Sequence, residues 1–149
     1  MSKKRAALYT NIGPVLMHYE LDVDGHALVK RGSINLPDDV QYAWPHSSKP
    51  VLYVACGCRP ANEGKGSSHS VCALKIDEAT GELSMHGKPQ PLPRRPIHIT
   101  TDSQNRHVLV CSNVPSGLWV YRIQPDGTLG EPVPQRPDLD LGIFPHQIR

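Results

Sequence analysis

The chain has 149 residues, enough for one ordinary domain with a real core. Its formal net charge of +2 gives no case for nucleic acid or an anionic membrane as a partner, and no stretch approaches the roughly 20 apolar residues of a membrane span. With 15 prolines, 12 glycines and only 5% aromatic residues, the composition favours short elements joined by turns over long helices.

In chain order, the basic start Met1-Ser-Lys-Lys-Arg5 is followed by no apolar h-region, so a cytoplasmic location is expected. Residues 7–13 (ALYTNIG) read as a strand, residues 17–21 as a second, Asp24-Gly25 as a turn and residues 27–29 as a third strand. Residues 51–57 (VLYVACG) begin the same order again, with a strand at 71–76, a turn at Thr80-Gly81 and a third strand from Glu82-Leu83. The third copy begins at residues 107–113 (HVLVCSN). It continues through the loop chemistry of Asn113-Val-Pro-Ser-Gly117, a run at 118–123, and the turn Pro125-Asp126-Gly127. In that run Trp119, Tyr121 and Ile123 share one face, with Leu118, Val120 and Arg122 on the other.

A fourth element precedes two of these copies, at residues 40–44 and 96–102, and residues 145–148 begin it once more. Residues 59–68 form a Gly/Ser/Asn-rich insertion that lengthens the second copy. The near-continuous apolar runs 52–55 and 108–111 are expected to be buried inner strands.

Four short strands per repeat of 40 to 55 residues is the pattern of a β-propeller blade. The expected fold is all-β, with antiparallel four-stranded blades and repeats near 7–50, 51–106 and 107–149. Three blades make an incomplete ring, because propellers usually close at about four to eight.

The wording of the third repeat is more specific. P-x-H-I-x-x-D-x-x-x-R-x-V-x-V-x-x-N, then S-G-x-x-V-Y-x-I-x-x-D-G-x-L, then P-H-Q-I, resembles the seven-bladed lactonase family. That family includes the bacterial propeller type of 6-phosphogluconolactonase and the fungal carboxymuconate lactonizing enzymes. The residues carrying the resemblance include Pro96, His98, Asp102, Arg106, Asn113, Gly117, Tyr121, Gly127, Pro145 and His146. It covers the whole chain but roughly the first two-fifths of such a ring, as an N-terminal fragment would. It implies a sugar lactone, with or without a phosphate, opened by water, and no cofactor.

Such chemistry needs a base of near-neutral pKa and cationic donors for the developing oxyanion. By resemblance His146 is the catalytic candidate, with arginine and glutamate partners expected in later blades. His98 is a candidate to line the central channel, Arg94 and Arg95 to meet a phosphate, and Asn113 to bind substrate hydroxyls. Asn11, Ser112 and His46 are secondary. Each has a plainer reading as a strand-edge or turn residue. A metal is not expected, because Cys56-x-Cys58 with His69 is poorly spaced for zinc. The competing reading is a non-catalytic propeller arc that binds a partner through residues 62–70 or associates with copies of itself.

Overall fold

The structure, a computed structural model, describes residues 5–58 and 68–148. The described residues form twelve strands: β1 (Arg5–Ile12), β2 (Val15–Asp22), β3 (Ala27–Asn35), β4 (Val40–Pro45), β5 (Val51–Gly57), β6 (His69–Ile76), β7 (Leu83–Met85), β8 (Gln90–Leu92), β9 (His98–Thr101), β10 (His107–Asn113), β11 (Ser116–Ile123) and β12 (Leu129–Pro132). They make three antiparallel meanders: β1-β2-β3; β4-β5-β6-β7, with β8 also on β6; and β9-β10-β11-β12. Among the described residues no helix is long and apolar enough to cross a membrane.

The fourth element of the sequence pattern joins the sheet that follows it: β4 pairs with β5, and β9 with β10. The sequence repeat and the sheets are therefore offset by one strand. Residues 145–148, expected to begin that element again, form no strand. The reason is local. β4 and β9 are each held by the strand after them, and residues 145–148 pair with no strand among the described residues. Most of the 59–68 insertion, and with it most of the 62–70 segment, lies outside the described residues.

The middle sheet explains why the runs are so apolar. Every residue of β5 is buried, and strand alternation sends its side chains in two directions. Leu52, Val54 and Cys56 join Leu16, Leu36 and Leu74 in a core against the first sheet. Val51, Tyr53 and Ala55 join Ile99, Val108, Val110 and Tyr121 in a core against the third. Trp119 and Ile123 pack on the second of these, on the face shared with Tyr121. A strand covered on both sides reads as a continuous apolar run.

Tyrosines tie each sheet to the next. Tyr9 Oη donates to the Gly81 carbonyl at 2.7 Å, and Tyr53 Oη to the Gly127 carbonyl at 3.0 Å. Tyr9 and Tyr53 hold the same place in the repeats ALYTNIG and VLYVACG. The accepting turns are alike too: Gly81 and Gly127 have φ of 78° and 92°. An aspartate braces each, Asp77 Oδ1 accepting from the Thr80 backbone and hydroxyl and Asp126 Oδ1 from those of Thr128. The Asp24-Gly25 turn differs, since its left-handed residue is His26, with φ of 52°.

Candidate functional site

Strand direction sorts the loops to two ends. Segments 13–14, 36–39, 93–97 and 114–115 lie at one end, and segments 46–50, 77–82, 102–106 and 124–128 at the other. Arg94, Arg95, His98 and Asn113 all fall at the first end. His46 falls at the second, where its Nδ1 accepts the Ser48 and Lys49 backbone N–H groups, both at 3.1 Å, and burial followed by the Lys49 charge lowers its pKa. His46 is a turn brace.

At the first end the organising side chain is Gln41, which the sequence reading did not single out. Its amide nitrogen donates to the Gly57 carbonyl at 2.8 Å and the Asp39 carbonyl at 3.1 Å. Its Oε1 accepts from Arg95 Nη2. Gly57 makes room for this: a Cβ there would lie 2.7 Å from Pro96 Cδ and 3.2 Å from Arg95 Cγ. Arg95 is thus held half-buried by a neutral amide, its Nε is buried without a hydrogen-bond partner, and no carboxylate among the described residues pairs with it. A positioned guanidinium without a counter-charge is a receptor for a carboxylate or phosphate.

His98 begins β9 opposite Cys111 and is 3% exposed. Its ring lies 4.4 Å from that of Tyr42 and 6.2 Å from that of Trp44, both on β4. Tyr42 is the exposed member of this cluster, at 39%. The first strands of neighbouring sheets therefore converge here, and Tyr42 presents a ring where the sequence alone suggested an imidazole. The signal for Gln41 and Tyr42 was present in the equivalence of residues 40–44 with 96–102, which puts β4 and β9 in matching places.

Asn113 is half-buried where β10 turns into β11, opposite Ser116. Arg94 is exposed in the same segment as Arg95. His146 is exposed in the stretch after β12, which Ser116 Oγ ties to this end by donating to the Gly142 carbonyl at 3.1 Å. Among the described residues, no hydrogen bond joins His146 to Arg95 or Asn113. Two secondary candidates are committed elsewhere: Asn11 Nδ2 donates to the Val40 carbonyl at 3.3 Å, and the buried Ser112 Oγ to the Pro115 carbonyl at 2.8 Å. Cys58 Sγ lies 4.0 Å from His69 Nδ1. Cys56 and Cys72 are both free and buried, and the neighbouring Cys72 thiol, then burial, hold the Cys56 thiol protonated, well above the ordinary range.

Successive antiparallel meanders packed face to face, with β4 and β9 converging, define a β-propeller, here an arc of three blades. The chain belongs to the family described as "Lactonase, 7-bladed beta-propeller", whose model matches residues 6–138. It is similar to the 6-phosphogluconolactonases of Erwinia tasmaniensis (35% identical over 77% of this chain and 31% of that one) and Serratia proteamaculans (32%, over 83% and 33%). The same enzyme of Bacillus subtilis is 26% identical, over 87% of this chain and 34% of its own. A crystal structure of a candidate 6-phosphogluconolactonase from Bacteroides fragilis shares the fold, with a TM-score of 0.64 at 17% identity, over 85% of this chain and 34% of that one. The chain spans about a third of the length of each of these proteins.

Proposed function

We propose that this chain is the substrate-anchoring arc of a sugar-lactone hydrolase that acts on a phosphorylated lactone. The observation that carries the reading is Arg95, a guanidinium fixed by Gln41 and lacking a carboxylate partner among the described residues. The family and the names of the relatives support the reaction class. In that reaction water attacks the lactone carbonyl while a base takes its proton. The tetrahedral oxyanion then collapses, and the ring oxygen leaves as the protonated hydroxyl. His146 is the proposed base, Arg95 with Arg94 the phosphate anchor, and Asn113 and Tyr42 the neighbours of the sugar, with His98 packed behind Tyr42. Turnover is assigned to a ring completed by further blades, since the chain spans about a third of its relatives.

Titration calorimetry with 6-phosphogluconate and gluconate tests the anchor. The phosphorylated acid should bind at least about tenfold more tightly, and Arg95→Gln should bring the two together. Equal affinity in the unaltered chain would sink the phosphate assignment. A second reading, a non-catalytic arc that self-assembles, is favoured by the exposure of Leu8 and Leu28 on the first sheet. Its mark would be association with no preference between the two acids.

A further inference from the structure

A polar cleft lies between the first two sheets, apart from the end that holds Arg95. It is bounded by β2 and β3 on one side and the β6–β7 turn on the other, and it encloses about 380 Å³, within the size range of small-molecule sites. The space has a cause in the sequence. His18 pairs with Gly32 but Tyr19 with Lys30, so Arg31 is one residue extra in β3. Such a bulge re-aims its side chain, and Arg31 Nη2 meets Glu20 Oε1 at 2.9 Å beside the cleft. Gly32 then leaves room: a Cβ there would meet nothing within 4 Å.

The lining has two characters. Leu16, Ile34 and Leu83 make an apolar wall, and Glu20, Arg31, Ser33 and Thr80 a polar rim. His18, 4% exposed, stands between this cleft and a second space of about 220 Å³ behind the same turn. Its Nε2 is buried without a hydrogen-bond partner among the described residues, which native interiors rarely tolerate.

We propose that this cleft binds a neutral polyol of pyranose size. A carboxylate accepts O–H groups and a guanidinium donates to oxygen, so the Glu20–Arg31 pair offers complementary partners to adjacent hydroxyls. The apolar wall suits the C–H face of a ring. The pair cancels its own charge and Glu82 adds a negative one to the lining, so an anion is disfavoured. None of these residues belongs to the proposed lactone site, and the two assignments stand or fall separately.

The test titrates D-glucose, myo-inositol and gluconate into the full chain, followed by ¹H–¹⁵N spectra at His18 and the amides of 79–82. Both neutral polyols should give saturable shifts there, with gluconate at least about fivefold weaker. Gly32→Val fills the cleft in a strand that accepts β-branched residues, so it should keep the folded spectrum and weaken polyol binding more than about tenfold. Glu20→Gln should also weaken it, and Arg95→Gln should not. Absence of saturable shifts at His18, gluconate binding as tightly as glucose, or unchanged binding in folded Gly32→Val would each overturn the proposal.

Discussion

At the residue scale, Gly81 is constrained twice over. Its φ of 78° is left-handed, and a Cβ there would come within 2.7 Å of His18 Nε2 and 2.9 Å of Ala7 Cβ. Gly81→Ala should therefore cost about 1–3 kcal/mol, from backbone strain before any repacking. Urea unfolding measures this, and an unchanged midpoint would show that the turn relaxes freely. His146 belongs at this scale also. In a ring completed by further blades, His146→Ala should lower lactone hydrolysis by roughly 10²–10⁴-fold, the usual loss for a general base. His26→Ala, at an exposed turn, is the control. A folded His146→Ala ring with full turnover would move the base elsewhere.

At the element scale, the repeat is a repeat of bonds between sheets. Tyr9 and Tyr53 each reach the glycine carbonyl of the next sheet's outer turn. Burial, then the Asp126 charge, raises the Tyr53 pKa well above its ordinary 10.0. The folded state therefore keeps a proton that the unfolded chain loses, so stability is full below pH 10 and declines as pH rises beyond it. Tyr53→Phe should cost about 1–3 kcal/mol by stranding a buried acceptor, and should flatten the alkaline decline. Thermal melts between pH 8 and 11 read both. A variant that melts like the parent at every pH would mean the bond contributes nothing.

At the scale of the whole molecule, the middle sheet alone among the described residues has a core on each face. Leu8 and Leu28, 42% and 52% exposed, lie by strand alternation on the face of the first sheet turned away from the second. Propeller blades are stable by stacking, and uncovered apolar faces drive association. The chain should therefore sediment above its monomer mass at micromolar concentration, and a chain joined to further blades should not. A monodisperse monomer with a cooperative melt would show that three blades suffice.

The strand order, the apolar runs of β5 and β10, the recurring turns and the blade repeat were legible in the sequence. Each is a local pattern: alternation, turn chemistry at Thr80-Gly81 and Asp126-Gly127, and recurrence at a fixed spacing. The membership of the sheets was nearly legible, missing by one strand because a repeat shows its period but not its phase. What the tertiary structure alone decided was which side chains meet across sheets. The packing of β4 against β9 buried His98 under Tyr42 and made Gln41 the holder of Arg95. A one-residue bulge at Arg31 opened the cleft beside His18. These outcomes depend on the stagger between blades and on register shifts. Periodicity along a single strand carries no record of either.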